Sequence, residues 1–124
     1  MKNNFSDYLI AKGSKIAGGK LTLELWLPWY RGLPLSVVEV CELEVDDVPV
    51  PLAGAELEVN GKRFPLADLA ELTEERWFVQ DSAWLHLPFS DAEEGVPRRA
   101  DLLVKLYPPY IPMLTWVTRG SATI

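Results

Sequence analysis

The chain has 124 residues, 18 of them acidic and 12 basic, and its formal net charge is −6. A chain of this length forms one domain and buries roughly two-thirds of the surface that it exposes when unfolded, so it can fold without disulfides or metals. The acidic balance argues against nucleic acid or an anionic membrane as a partner, because both attract basic surfaces.

Alternating apolar residues, separated by turn signals, predict β-strands along almost the whole chain. After the Gly18-Gly19 pair, leucines at every second position from 21 to 27 predict a first long strand. Residues 37–45 predict another strand with one solvated face, which carries Glu42 and Glu44. The opposite face is predicted to hold the odd positions, which are Val37, Glu39, Cys41, Leu43 and Val45.

The second half of the chain continues this pattern. Asn60-Gly61 is the strongest short hairpin signal and predicts a tight turn between two strands. Residues 84–89 and residues 101–107 alternate again, and each predicts a strand with one apolar face. The apolar faces are Leu85, Leu87 and Phe89 in the former, and Leu102, Val104 and Leu106 in the latter.

Residues 66–76 are the exception, because their leucines recur at positions 66, 69 and 72 among good helix formers. This spacing predicts a short helix or a helical turn that must pack on the sheets to persist. We therefore predict an all-β protein, a single-domain antiparallel β-sandwich of seven or eight strands over residues 1–124. Residues 1–19 are predicted to be either a flexible segment or an edge strand.

Residues that could carry catalysis are scarce. His86 is the only histidine and has no second histidine or cysteine at ligand spacing, so we expect no metal site built by this chain alone. Cys41 is the only cysteine, which excludes an intrachain disulfide, and its acidic neighbours raise the thiol pKa, the reverse of what a nucleophile needs. We interpret His86 as a surface or packing residue and Cys41 as a core residue.

Other site signals are also weak. Asp46-Asp47 and Glu93-Glu94 stand in turn-like stretches, where adjacent acids are usually solvated. No glycine follows a strand and opens a helix, as a phosphate-binding loop requires. The first residues lack the apolar core of a signal peptide, and no run approaches the 18 apolar residues of a membrane span, so we expect a cytoplasmic protein.

Two aromatic, proline-rich segments are the most informative part of the sequence. The first is residues 27–36, which place Trp29, Tyr30 and Arg31 between two prolines. Proline stiffens the backbone, so large side chains here lose little entropy when a partner covers them. Since these residue types dominate interface energetics, the segment predicts a binding surface. The alternative is that Trp29 and Tyr30 pack onto their own core.

The second segment is residues 106–120. It places Tyr107, Tyr110, Met113 and Trp116 among three prolines. Exposed apolar patches of this kind mark interaction sites, so this segment also predicts a binding surface. The alternative is that residues 110–116 form the final buried strand.

Several short motifs follow one another from residue 21 to the C-terminus. They are Leu27-Pro-Trp-Tyr-Arg-Gly-Leu-Pro-Leu-Ser36, Val45 followed by an acidic turn, Val59-Asn-Gly-Lys62, Glu74-Glu-Arg-Trp77 and Arg119-Gly120. In that order they resemble the small β subunit of bacterial C-glycoside deglycosidases. The first motif, together with the later Glu-Arg-Trp at matching spacing, is the most specific part of the resemblance, which covers nearly the whole chain.

The resemblance implies a division of labour between two chains. In that family a larger TIM-barrel α subunit carries a divalent metal, thought to be manganese, and the catalytic acid/base residues. The small subunit is a β-sandwich that binds the α subunit. The complex cleaves the C–C bond between a sugar and a flavonoid or similar aglycone, after a separate oxidoreductase has turned the sugar 3-hydroxyl into a ketone. The substrate is thus a 3-oxo-C-glycoside, and no catalytic, cofactor-binding or metal residue is implied on this chain.

The two aromatic segments are where we expect contact with the α subunit. Arg31 is expected to hydrogen-bond a partner carboxylate or carbonyl. A further hypothesis is that the loop around residues 29–31 helps to close the active site over a flat aglycone. The predicted interface residues are Trp29, Tyr30, Arg31, Tyr107, Tyr110, Met113 and Trp116.

Other interpretations stay open. A stand-alone carbohydrate-binding sandwich would use Trp29, Trp77 or Trp84 as a stacking platform, with acidic side chains as hydrogen-bond partners. A self-sufficient enzyme would need His86 paired with a carboxylate. A homodimer through the same apolar faces is compatible with any of these functions.

Overall fold

The computed structural model describes residues 9–89 and 97–124. Within these ranges the chain is built from antiparallel strands and two short 3₁₀ turns, Leu35–Val37 and Leu66–Glu71, so the all-β prediction is confirmed. The strands are β1 (Lys15–Ala17), β2 (Lys20–Leu25), β3 (Leu33–Pro34), β4 (Val38–Val45), β5 (Val48–Pro49), β6 (Glu56–Val59), β7 (Lys62–Pro65), β8 (Arg76–Trp77), β9 (Ala83–Pro88), β10 (Arg99–Leu106) and β11 (Trp116–Thr123).

The strands form two main sheets and one small one. The five-stranded sheet has the order β1-β2-β9-β6-β7, and the four-stranded sheet has the order β11-β10-β4-β5. The small sheet is the two-residue pair of β3 and β8. The described residues form eleven short strands, where seven or eight were predicted. The difference arises because β3, β5 and β8 have only two residues each and are too short to show alternation.

A single apolar core lies between the sheets. Each long strand buries every second side chain, because successive side chains of a strand point to opposite faces. The five-stranded sheet contributes leucines of β2 and β9, and the four-stranded sheet contributes apolar residues of β10. The predicted inward faces are confirmed, with Leu21, Leu23, Leu25, Leu85, Leu87, Leu102, Val104 and Leu106 all buried.

The predicted faces of β4 are wrong in the first half of the strand. The register with β10 shifts at one point, because Leu103 lies opposite Glu42 whereas Val104 lies opposite Val40. Cys41 is the extra residue of this β-bulge, and an extra residue changes which side chains face inward. Before the bulge Val38 is buried and Glu39 is exposed, contrary to prediction; after the bulge Leu43 and Val45 are buried as predicted.

The short helical turn and the tight turns lie where the sequence predicts them. Residues 66–71 form the second 3₁₀ turn, whose Leu69 is buried against the sheets. Asn60 and Gly61 have φ of 56° and 75°, the left-handed pair that a tight two-residue hairpin requires. Asp46 and Asp47 likewise have positive φ and form the turn between β4 and β5.

The N-terminal part contributes an edge strand within the described residues. β1 pairs with β2 alone, and Ile10 forms a bridge with Leu25. Residues 1–8 and the predicted acidic turn at Glu93-Glu94 lie outside the described residues. In the described part of the chain, no helix has the length and apolarity needed to cross a membrane.

Three connections emerge at one end of the sandwich. Leu25, the last residue of β2, pairs with Ala83, the first residue of β9, so the segments on either side of this pair leave the sheet together. Leu106 and Trp116 form the corresponding pair of β10 and β11, and the Trp116 ring contacts the ring of Trp29. We call residues 26–32, 78–82 and 107–115 the aromatic end.

Replacing Trp77 tests the packing beneath this end. Trp77 is 1% exposed, and its indole N–H donates to the Asp81 carbonyl oxygen at 2.8 Å. Trp77→Phe leaves a gap and an unsatisfied carbonyl, so the free energy of unfolding should fall by about 1–3 kcal/mol. Val79→Ala, at an exposed position, should change it by less than about 0.5 kcal/mol. Urea unfolding measures both, and equal losses would contradict this account of Trp77.

Candidate functional site

Trp29 lies at the centre of the aromatic end. Its side chain is only 5% exposed, and its ring packs edge-on against Trp116 with centroids 5.2 Å apart. Tyr30 lies on its other side with a centroid distance of 5.0 Å. Trp29 is therefore a buried residue on which exposed side chains of the aromatic end pack. The sequence left open whether Trp29 and Tyr30 form a binding surface or pack onto the core. Trp29 packs onto the core, whereas Tyr30 is exposed.

Tyr110 connects the two aromatic segments. The indole N–H of Trp29 donates to the Tyr110 hydroxyl oxygen, and the hydroxyl oxygens of Tyr110 and Tyr30 lie 3.5 Å apart. Indole can only donate, so the Tyr110 proton is left to point to Tyr30 or to an outside acceptor. The two segments, about 80 residues apart in sequence, thus meet through side chains.

Arg31 adds a positive charge to this cluster. Its guanidinium carbon lies 5.0 Å from the centre of the Tyr110 ring, within the range of a cation–π contact. Burial acts to raise the pKa of Tyr110, but the hydrogen bonds with Tyr30 and Trp29 and the charge of Arg31 outweigh it and hold the pKa below its usual value. The hydrogen bond with Tyr110, helped by burial, raises the pKa of Tyr30.

The loop from 107 to 115 presents Met113 to solvent. Met113 is fully exposed and has a φ of 62°, a left-handed conformation that non-glycine residues seldom adopt. Turn hydrogen bonds from the Ile111 N–H to the Pro108 carbonyl and from the Leu114 N–H to the Ile111 carbonyl hold the loop on either side. A large apolar side chain is thus kept in water on an ordered backbone.

Tyr107 lies apart from this cluster. Its hydroxyl donates to the Glu39 carboxylate at 2.5 Å, on the outer face of β4. That hydrogen bond, with smaller effects of burial and of the Glu39 charge, raises the pKa of Tyr107 to about 12. The structure brings Trp29, Tyr30, Arg31, Tyr110 and Trp116 together, and it leaves Tyr107 beside β4.

At the aromatic end, sequence reasoning left three exposed apolar side chains out of the predicted interface. Phe78 and Val79 follow β8 directly, and Phe78 lies against Gly32, whose added Cβ would stand 3.5 Å from the Phe78 Cα. Trp26 is half exposed at the end of β2. The signal for Phe78 and Val79 was an apolar pair directly after Trp77, in a stretch with no alternation.

His86 is a packing residue on the outer face of the five-stranded sheet. Its Nε2 lies 2.7 Å from a Glu58 carboxylate oxygen, and its Nδ1 lies 3.4 Å from the Thr22 hydroxyl oxygen. Arg63 lies 3.6 Å from the same Glu58 oxygen. The histidine has the carboxylate that an acid–base pair would need, but Arg63 already shares that carboxylate.

Cys41 is not the core residue that we predicted. As the bulge residue of β4 it is partly exposed, and its thiol lies 3.6 Å from the Glu39 carbonyl oxygen. Its thiol pKa is raised, as predicted, but partial burial is the largest cause and the charge of Glu39 is the second. A raised pKa still argues against a nucleophile.

One acidic trio could hold a cation, although we assign none to it. Ligand oxygens of Glu44, Asp47 and Asp101 all lie within 4.8 Å of one another. Arg99 lies 3.3 Å from Asp101, and the Ser121 hydroxyl donates to the same carboxylate. The trio stands at the start of β10, away from the aromatic end, and its negative charge is partly balanced within the protein.

Two of the proposed sugar-stacking residues cannot serve as platforms. Trp77 and Trp29 are both buried, so neither offers a ring face to a ligand. Trp84 is half-buried on the outer sheet face, and a Cβ added at Gly13 would lie 3.0 Å from its ring. The carbohydrate-binding interpretation therefore loses two of its three tryptophans.

Comparison with known proteins gives a consistent family. A sequence model described as C-glycoside deglycosidase beta subunit matches residues 4–96. A protein of that name from Arthrobacter globiformis is 37% identical over 86% of this chain and 82% of its own, and one from Microbacterium trichothecenolyticum is 34% identical over 85% and 80%. A protein from a Microbacterium species named 3'-dehydrocarminate deglycosidase beta subunit is 32% identical over 88% and 83%.

Removing the Tyr110 hydroxyl tests the link between the aromatic segments. Tyr110→Phe leaves the mostly buried Trp29 N–H without its acceptor, which should lower the free energy of unfolding by about 1–3 kcal/mol. Tyr30→Phe removes a hydroxyl that is open to solvent and should cost less than about 0.5 kcal/mol. Denaturant unfolding of both variants provides the comparison. Equal stabilities of the two would show that Trp29 does not depend on Tyr110.

The ionisation of Tyr107 tests its contact with Glu39. The folded-state pKa of about 12 exceeds the unfolded value, so the folded chain holds this proton more tightly. The stability from this contact should be present below about pH 10 and be lost as the pH rises toward 12. The ultraviolet titration curve of the wild-type protein minus that of Tyr107→Phe isolates the ionisation of Tyr107. This difference curve should show a step well above pH 10, and Glu39→Gln should move that step to lower pH. A step near pH 10 in that difference curve, measured on folded protein, would refute the contact.

Proposed function

Because the chain belongs to the family of C-glycoside deglycosidase β subunits, we propose that it is the accessory subunit of a lyase that cleaves the sugar–aglycone C–C bond of 3-oxo-C-glycosides. The relatives are named as β subunits, and that name implies a partner subunit. In this proposal the partner is a TIM-barrel α subunit that carries the catalytic acid/base residues and a divalent metal, manganese. The chain itself carries out no chemical step, and the complex works in the cytoplasm.

The proposed reaction is an elimination. A ketone at the sugar 3-position makes the adjacent C–H acidic enough for a base to remove the proton. The electrons of that C–H bond form a C=C bond in the sugar, and the aglycone carbon leaves with the electrons of the broken C–C bond and takes up a proton. The bond is thus broken without water attacking it, which distinguishes this lyase from a hydrolase.

The observation that carries the accessory role is the aromatic end. It exposes Tyr30, Arg31, Tyr110 and Met113 on loops that proline and internal hydrogen bonds hold in place. Side chains ordered before binding lose little entropy at an interface, and Tyr and Arg are enriched among residues that dominate affinity. We propose that this end packs against the α subunit, with Trp29 and Trp116 supporting it and Tyr107 at its border.

Arg31 has a defined role in this interface. It stands over the Tyr110 ring, so its side chain is ordered before binding, and a partner carboxylate or carbonyl can accept hydrogen bonds from it. The same loop, at the rim of the α subunit's active site, would help to enclose a flat aglycone. This second role requires that the aromatic end lie near the substrate.

The accessory role is tested by co-expression with the α subunit. Size-exclusion chromatography with mass determination should show a hetero-complex, and a 3-oxo-C-glycoside should be cleaved only when both chains are present. Tyr30→Ala and Arg31→Ala should each weaken the complex by about 2 kcal/mol, about 30-fold in Kd. Val48→Ala, at the exposed apolar residue that begins β5, is the matched control and should leave the Kd unchanged.

The outcomes separate the parts of the proposal. Turnover by the isolated chain would refute the accessory role. Equal Kd values for the Tyr30, Arg31 and Val48 variants would remove the aromatic end from the interface. A normal Kd but a raised KM for Tyr30→Ala would place this end at the substrate and not at the subunit contact.

A further inference from the structure

A groove with a volume of about 600 Å³ runs along β4, on the side that β10 does not cover. One wall is the first half of β4 and the other is the second 3₁₀ turn, with Tyr107 beside Glu39 in the lining. The groove therefore begins beside the aromatic end. The apolar lining consists of Val38, Val40, Leu52, Leu66, Ala67, Leu69 and Ala70.

The edge of β4 that faces this groove has the second 3₁₀ turn beside it, but over its first half it is paired with no strand of the described chain. β5 pairs with β4 only at Glu44 and Val45, and the Val50 N–H donates to the Leu43 carbonyl at 2.8 Å. Among residues 9–89 and 97–124, no strand pairs with residues 38–42 on that side. An open edge presents backbone N–H and C=O groups to another extended chain, which can add to the sheet as a strand.

The charges around the groove are mainly acidic. Glu39 and Glu42 are exposed on β4, and Asp68 and Glu71 are exposed on the second 3₁₀ turn. Two basic residues lie nearby on the same sheet face. They are Lys105, opposite Glu39 in the register with β10, and Arg119, 3.9 Å from Glu42.

This charge decides between two kinds of occupant. If a second copy of the chain paired through the same edge, glutamates of the two β4 strands would meet, and like charges on paired strands destabilise a sheet. An extended segment with Lys or Arg at alternate positions would instead meet Glu39 and Glu42 with opposite charge. The edge is thus protected against self-association and suited to a cationic partner.

We propose that this groove binds an extended, cationic segment of the partner subunit, which pairs with the open edge of β4 and places apolar side chains between β4 and the second 3₁₀ turn. The identity of the partner rests on the proposed function. Tyr107 would lie at the boundary between this groove and the aromatic end, so one partner could cover both surfaces.

Cys41 is a natural reporter of the occupied groove. It lines the groove, is partly exposed and is the only cysteine of the chain. N-ethylmaleimide labelling at pH 8.5, followed by mass spectrometry, should be at least about tenfold slower in the complex than in the isolated chain, because labelling needs access to the thiol. An unchanged labelling rate in an intact complex would overturn the proposal.

A paired substitution tests the groove without using the thiol. Ala70→Arg puts a large cation into the groove, whereas Ala53→Arg puts the same side chain at another exposed alanine outside it. Circular dichroism should show that both variants fold. Ala70→Arg should raise the Kd at least about tenfold and Ala53→Arg should leave it unchanged. Equal Kd values would overturn the proposal.

The two proposals fail in different ways. No hetero-complex for the wild-type chain would refute the accessory role and, with it, this occupant of the groove. A complex that forms normally, with Cys41 still freely labelled and Ala70→Arg without effect, would refute the groove proposal alone and leave the accessory role intact.

Discussion

The buried indole of Trp29 is the contact on which the aromatic end depends. It packs on Trp116 at the start of β11 and donates its N–H to Tyr110, so it joins the loop after β2 to the loop after β10. These loops belong to different sheets, and a single side chain fixes their relative position. Burial of an aromatic ring and satisfaction of its one polar group act together here, because a buried N–H without an acceptor is costly.

The sequence predicts the core of this fold well and its local irregularities poorly. Alternation in β2, β9 and β10 identified the inward leucines, since one face of each strand is buried. The same reasoning failed in β4, because the bulge at Cys41 inserts a residue that leaves no trace in composition. The two-residue strands β3, β5 and β8 were missed because two residues cannot show a period.

The sequence identified the two segments that form the candidate surface, but not which of their side chains are buried. Residue types identified both aromatic segments, yet periodicity could not say that Trp29 turns inward and Tyr30 outward, because the loop has no regular structure. That distinction arises from tertiary packing on Trp116, a residue about 87 positions away. Likewise, Tyr107 and Tyr110 look equivalent in sequence, but Tyr107 contacts Glu39 on β4, whereas Tyr110 contacts Trp29 and Arg31.

β4 packs into the core on one face and carries acidic residues on the other. Its inner face completes the core through Val38, Leu43 and Val45, while its outer face carries glutamates beside an edge that no strand covers in the described chain. An unpaired strand edge promotes self-association, because identical edges can pair with each other, and self-association would block binding of another partner. Like charge on that edge opposes self-pairing at little cost to the core, since the charged side chains never enter it. In the proposed hetero-complex the two features would act together, because the apolar surface is ordered before binding and the charged edge opposes pairing between copies of this chain.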